Sequence, residues 1–187
     1  MAVKVCSTAL NQGGLHVEVG TVHDSTAWYV ATYASNFSDP ITYKRNVVTT
    51  GGVFATPVVL TAAQSGSIIL LDTIAGLQFT LPAIAAADIG IWYQFVCTAS
   101  VTSNSYKIVA ATGDFLNGGV WIADFNTAST GAYFAADGTS HLTMTMDGTT
   151  KGGKIGTVVE VTAINATGWY VAAPQYFGDG VLATPFS

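Results

Sequence analysis

Apolar and polar residues alternate with a period of two in segment after segment of this chain. Leu77, Phe79 and Leu81, for example, alternate with Gln78 and Thr80. Successive side chains of a β-strand point to opposite faces, so this alternation is typical of a strand that buries one face. The same pattern recurs in the ranges 15–19, 106–108, 142–146 and 159–163. Helical spacing is nearly absent, and the chain is therefore predicted to fold into strands.

Glycine-containing turn sequences separate these strand patterns. They are Asn117-Gly118-Gly119, Asp137-Gly138, Asp147-Gly148, Lys151-Gly152-Gly153 and Asp179-Gly180. Many short strands joined by such turns predict an all-β fold, either a sandwich of jelly-roll type or a barrel, built from short antiparallel strands. The one helical candidate, Ala83–Asp88, is too short to change that prediction.

Charged side chains are unusually scarce. Asp, Glu, Lys and Arg make up 9% of the 187 residues, against about 25% in ordinary soluble domains. Half of the residues are hydrophobic, and the mean hydropathy is +0.44. Either Thr, Ser, Asn and Gly keep the surface hydrated or neighbouring subunits cover much of it, and we expect the second. The net charge of −5, with six basic residues, argues against nucleic-acid binding, which depends on neutralising phosphates.

Neither a membrane-spanning helix nor an export signal is predicted. The most apolar stretch, Leu81–Thr98, is interrupted by Pro82, Asp88 and Gly90. The opening MAVKVCSTAL lacks the long apolar centre of a signal peptide. We therefore expect the protein to be made in the cytoplasm and to have no membrane partner. Cys6 and Cys97 are then expected to be free thiols, with a single bridge between them as the alternative.

The composition changes near Thr49–Gly52 and suggests two parts. Residues 1–52 contain His16, His23 and the Lys44-Arg45 pair but few strand patterns, whereas a regular series of strands follows. We predict an N-terminal arm or attachment subregion over residues 1–52 and a main β domain over residues 53–187.

No catalytic or metal-binding constellation is recognisable. His16, His23 and His141 lack metal-ligand spacing, and Ser65-Gly66-Ser67 predicts a turn rather than a nucleophile elbow. Most aspartates neighbour Gly, Ser, Thr or Pro, which is typical of turns. The prediction is a non-enzymatic protein without cofactors or metal ions.

The remaining candidates for function are aromatic side chains, among them Trp28, Trp92, Trp121 and Trp169. Three Trp-Tyr pairs occur, at residues 28–29, 92–93 and 169–170. Adjacent strand residues face opposite sides, so each pair is expected to bury one ring and expose the other. Two of the pairs follow a Gly-Thr-Val sequence, at residues 20–22 and 156–158, and each of these segments predicts a β-hairpin. An outward ring either packs partly on its own domain, stacks on a sugar or anchors a subunit interface.

Four segments resemble the β domains of tailed-phage virion proteins. They are LTAAQSGSIILLDTIAGLQFTLPA from Leu60, GIWYQFVCT from Gly90, SYKIVAATGDFLNGGV from Ser105 and GTVVEVTAINATGWYVAA from Gly156. Their order is similar to that in capsid decoration (cement) proteins and in related tail-fibre or spike modules. The resemblance covers roughly residues 57 to 173, and it is carried by turn and core residues.

The resemblance implies a structural protein of a bacteriophage virion, made in the host cytoplasm and placed on the capsid surface. Its expected partners are the major capsid protein and further copies of itself, commonly as a homotrimer. The candidate contact residues are Trp28, Tyr29, Tyr33, Lys44, Arg45, Trp169 and Tyr170. The alternative is a tail-fibre or spike module that binds a host-surface receptor or glycan.

Overall fold

The computed structural model describes residues 47–49, 55–126 and 130–187. All of them belong to the unit Arg45–Ser187, the second of the two units into which the chain divides. The predicted arm over residues 1–52 therefore lies outside the described residues except for 47–49. Its boundary at residue 52 stays a prediction.

The prediction of an all-β fold is confirmed. The strands are β1 (Val47–Thr49), β2 (Val58–Val59), β3 (Ile68–Leu71), β4 (Leu77–Thr80), β5 (Trp92–Cys97), β6 (Tyr106–Val109), β7 (Phe115–Asp124), β8 (Gly131–Asp137), β9 (Thr143–Met146), β10 (Val158–Asn165), β11 (Gly168–Gln175) and β12 (Phe177–Gly178). Helical structure in the described part is limited to two short 3₁₀ turns, Ala62–Gln64 and Ala86–Asp88. The second lies within the predicted helical candidate.

Two sheets form a sandwich. The larger sheet has the order β1-β3-β5-β10-β11-β7-β12, with β8 paired to β7, and the smaller has the order β2-β4-β6-β9. Their inner faces share one hydrophobic core. Phe79 of the smaller sheet meets Phe95 of the larger edge to face, with ring centroids 5.5 Å apart. Neither sheet closes into a barrel.

The prediction of antiparallel strands throughout is wrong, because the first six strands stack in parallel. The chain passes from the larger sheet to the smaller and back after each strand. Strands β1, β3 and β5 are therefore parallel neighbours in one sheet, and β2, β4 and β6 in the other. A chain that crosses to the opposite sheet and returns arrives travelling in its original direction. This part of the molecule consists of stacked coils rather than hairpins.

The coils differ in length, which hides them in the sequence. Val47 aligns with Ile68 and Ile68 with Gln94, at spacings of 21 and 26 residues. The buried residues Leu60, Leu81 and Ala110 nevertheless follow equivalent strands β2, β4 and β6. The amide of Leu60 donates to the Thr80 carbonyl, and that of Leu81 to the Val109 carbonyl. Equivalent corners therefore continue the hydrogen-bonded stack beyond the strands.

Antiparallel strands end the stack. Strand β9 pairs with β6 in the smaller sheet, and β10 pairs with β5 in the larger. Strands β10 and β11 form an antiparallel hairpin, as the sequence 156–172 predicted. The similar segment at residues 20–31 lies outside the described residues.

Alternation correctly predicts which side chains are buried. Strands β5 and β10 bury every second residue, and Cys97 is a buried free thiol in the core, as expected from its place in the β5 pattern. The core also accommodates polar groups at the coil corners. The Tyr106 hydroxyl lies 2.8 to 3.1 Å from the carbonyl oxygens of Leu71, Thr73 and Ala99, and its single proton can be donated to one of them at a time.

Candidate interaction surface

One face of the larger sheet points away from the core. Register partners in adjacent strands lie side by side and share a face. Trp92, Thr162, Tyr170, Asn117 and Asp137 are successive partners across β5, β10, β11, β7 and β8. They mark a row across five strands. We call the face that carries this row the outer face of the larger sheet.

This outer face carries few charges. Its residues are Val47, Ile68, Leu70, Trp92, Gln94, Val96, Asn117, Gly119, Trp121, Ala123, Gly131, Tyr133, Ala135, Asp137, Val158, Glu160, Thr162, Tyr170, Ala172 and Phe177. Asp137 and Glu160 are the charged residues among these described positions. The outer face of the smaller sheet is more polar. It presents Val59, Gln78, Thr80, Lys107, Val109, Thr143 and Thr145.

Three large aromatic side chains stand out on the outer face of the larger sheet. Trp121, Tyr133 and Tyr170 expose 58%, 60% and 46% of their surface, respectively. Trp121 and Tyr133 are direct register partners on β7 and β8, and Tyr170 lies on β11, the other neighbour of β7. These three residues form the aromatic patch.

Glycines beneath the rings let the patch lie close to the sheet. A Cβ atom at Gly131 would lie 2.7 Å from Nε1 of Trp121, and one at Gly118 would lie 2.9 Å from the ring of Tyr170. At Gly119 a Cβ would overlap the Tyr133 hydroxyl. Each ring therefore covers a glycine of the neighbouring strand, an arrangement that shields exposed backbone in sheets.

The same contacts explain why the predicted turn at Asn117-Gly118-Gly119 is wrong. These residues lie inside β7, which is ten residues long. Gly118 has a φ of +96°, and a Cβ there would lie 2.5 Å from the carbonyl oxygen of Val171. The glycines serve close packing within a strand rather than chain reversal. The turns at Asp137 and Asp147 are present, with each carboxylate accepting backbone N–H bonds.

The Trp169-Tyr170 pair divides as predicted, with one ring buried and one exposed. Trp169 is fully buried, and its ring lies 5.9 Å from that of Tyr93. The prediction that Trp169 contacts a partner directly is therefore corrected. Trp169 belongs to the core, because its register partners Leu116 and Ala163 face inward. Tyr170 remains a candidate. Trp28, Tyr29, Tyr33, Lys44 and Arg45 lie outside the described residues.

Trp121 is one of the aromatic candidates in the sequence, but the predicted contact residues include neither Trp121 nor Tyr133. Both follow the alternation of their strands: Val120 and Ile122 are buried on either side of Trp121. The preceding Asn117-Gly118-Gly119 predicts a turn and so obscures this alternation. Pairing of β7 with β8 then brings the two rings together, which no local pattern encodes.

Asp137, Ser140 and His141 form a hydrogen-bonded turn. Oδ1 of Asp137 accepts the backbone N–H groups of Thr139, Ser140 and His141, and Oδ2 accepts the Ser140 hydroxyl. These donors, the Ser140 hydroxyl first, hold the pKa of Asp137 well below its usual range. Nδ1 of His141 accepts the Asp137 N–H at 3.0 Å. The Ser140 hydroxyl donates to Oδ2 of Asp137 and thereby belongs to the same turn.

Within the part of the chain that the structure describes, no three His, Cys, Asp or Glu residues are grouped as metal ligands would be. In those same residues, no helix has the length and apolar character needed to cross a membrane.

Cys97 should be unreactive in the folded protein. Burial raises the pKa of its thiol to about 12, so about one thiol in ten thousand is ionised at pH 8. We expect a Cys6→Ser variant to show no reaction with a chromogenic disulfide reagent when folded, and one equivalent per chain in guanidinium chloride. Full labelling of the folded variant on the timescale of a free thiol would contradict the buried position.

No protein family, curated protein or solved structure matches this chain.

Proposed function

We propose that this chain is a non-enzymatic structural protein of a bacteriophage virion, a decoration or cement protein that binds the outside of the phage head. The observation that supports it best is the outer face of the larger sheet, which carries the aromatic patch and two charged residues. Aromatic residues are enriched and charged residues depleted at the centres of protein interfaces. Such a face suits permanent contact with other subunits.

The contact would be made with the major capsid protein and with further copies of this chain. Trp121, Tyr133 and Tyr170 are the expected anchors, since exposed Trp and Tyr contribute most to many interfaces. The arm of residues 1–52 remains a second expected attachment region. The homotrimer that the resemblance implies is not required by this proposal.

Stabilisation of the head would follow from mass action. A protein that binds the assembled shell but not its dissociated subunits shifts the equilibrium toward the shell. Many copies, each attached at more than one point, turn modest contacts into tight attachment. No catalytic group, cofactor or metal ion enters this mechanism.

The alternative, a tail-fibre or spike module that binds a glycan, is favoured by one observation. The rings of Trp121, Tyr133 and Tyr170 lie over glycines, and this gives a low aromatic surface on which a sugar ring could stack. Copy number distinguishes the two functions, because a decoration protein covers the lattice and a fibre module does not.

The test is quantitative mass spectrometry of sedimented particles, followed by rebinding. We expect a ratio to the major capsid protein between about one third and one, as the valency of a lattice-wide protein requires. Purified chain should cosediment with particles that lack it, and a Trp121→Ser/Tyr170→Ser variant should bind at least about tenfold more weakly.

The matched control is Val59→Ser, which removes a 65% exposed apolar side chain from the outer face of the smaller sheet. Its binding should equal that of the unchanged protein. A copy number of a few per cent would favour the tail-fibre function, and absence from particles would overturn the virion proposal.

A further inference from the structure

The open edge of the larger sheet lies at β8. This strand has seven residues, Gly131–Asp137, and its partner among the described strands is β7 on one side. The other edges are shorter or covered. Strands β1 and β2 have three and two residues, and β9 is bonded to the segment 185–187 through Thr143 and Thr145.

The hydrogen bonds at both ends of β8 establish which of its backbone groups face outward. The Asp124 N–H donates to the Thr130 carbonyl, and the Gly138 N–H donates to the Leu116 carbonyl. Even-numbered residues of β8 therefore bond to β7, since antiparallel pairs alternate in this way. Gly131, Tyr133 and Ala135 direct their N–H and C=O groups away from β7, toward the open edge.

A side chain closes one end of this edge. Asp137 would be the fourth outward residue, but its N–H donates to Nδ1 of His141 at 3.0 Å. The outward N–H groups left to a partner strand are therefore those of Gly131, Tyr133 and Ala135.

The strand also lacks the usual protection against pairing. Natural edge strands carry lysine, proline or an inward charge that discourages another strand from joining. Residues 131–136 read Gly-Ala-Tyr-Phe-Ala-Ala, which contains no charge and no proline. An identical strand can approach it without electrostatic repulsion.

We propose that two copies of this chain join by antiparallel pairing of β8 with β8 about a two-fold axis. An element that meets its own copy requires such a self-complementary contact. The axis passes beside Tyr133, which then pairs with Tyr133 of the second copy, while Gly131 pairs with Ala135. This register uses the three outward residues of each copy and leaves the Asp137–His141 bond intact.

The register shifted by one pair toward Asp137 is disfavoured. If Tyr133 were opposite Ala135 of the second copy, Gly131 would be opposite Asp137, whose N–H is already bonded to His141. In the favoured register the Asp137 carboxylates lie at opposite ends of the junction. The two aromatic patches also become one continuous surface, since Tyr133 belongs to both the edge and the patch.

Sedimentation of the purified full chain over a concentration series tests the pairing. We expect a monomer–dimer equilibrium, and an Ala135→Pro substitution should raise the dimer dissociation constant at least about tenfold. The proline removes an outward N–H and leaves the β7 hydrogen bonds in place. A second variant, Tyr133→Lys, places like charges opposite each other and should have the same effect. Val59→Lys, on the other sheet, is its control.

Amide hydrogen exchange adds a readout at the junction itself. In the dimer the N–H groups of Tyr133 and Ala135 should be protected, and on dilution they should exchange rapidly while those of Ala132 and Phe134 stay protected. A monomer at every concentration, a trimer, or a dimer insensitive to both β8 variants would overturn the inference. None of these results depends on whether the chain is found in virions.

Discussion

Replacing Trp169 by alanine should lower the free energy of unfolding by about 3–5 kcal/mol. The side chain is fully buried between strands β7 and β10 and packs against Tyr93, so its removal leaves a cavity that the surrounding strands cannot fill. The melting temperature should fall by roughly 10 °C. Denaturant titration followed by fluorescence and circular dichroism measures the free energy of unfolding, and thermal unfolding measures the melting temperature.

The neighbouring residue provides the control. Tyr170→Ala removes a ring that is 46% exposed, and its cost should stay below about 1 kcal/mol. Trp169→Phe should cost less than alanine, because Nε1 of Trp169 has no hydrogen-bond partner in the described part of the chain. Equal effects at 169 and 170 would contradict the assignment of one ring to the core and the other to the surface.

The second large effect is expected at Gly148, where alanine should destabilise the protein by about 3 kcal/mol or more. Gly148 has a φ of +80°, which costs an L-residue about 1–2 kcal/mol. A Cβ there would also overlap the carbonyl oxygen of Val101, and that oxygen belongs to backbone that cannot rotate away. The turn after β9 would have to shift. Thermal unfolding measures the loss.

Gly113→Ala separates these two causes. Gly113 has a φ of +94°, but a Cβ there would meet nothing within 4 Å. Its replacement should cost about 1–2 kcal/mol, the conformational part alone. If both variants lost the same stability, the proposed contact between position 148 and Val101 would be wrong.

The strands and their buried faces were predictable because both depend on local alternation. Phe79 and Ile108 are buried at positions that the period of two predicts. The direction of strand pairing was not predictable, because the alternation of a strand is the same beside a parallel or an antiparallel neighbour. The coils β1 to β6 also repeat at unequal spacings and share no motif, so no sequence period marks them.

Most of the candidate surface depends on how strands pair, which local alternation does not reveal. Tyr170 was identifiable from its neighbour Trp169, because two adjacent residues of a strand must face opposite sides. Trp121 and Tyr133 are twelve residues apart and become partners only through the register of β7 with β8. The glycines that accommodate these rings have the composition of a turn, and only the opposing strand reveals their purpose.

The stacked coils have a consequence for how such a body changes size. Each coil adds one strand to each sheet, and strands in a sheet are about 4.8 Å apart. Val47 and Ile68 are 21 residues apart, which is the length of one coil. Inserting one further coil of this length would lengthen the body by about 4.8 Å and leave its cross-section unchanged. The length of the body along the stack thus depends on the number of coils, and its cross-section depends on the residues within each coil. Evolution could change the number of coils without altering the end formed by β9 and β10.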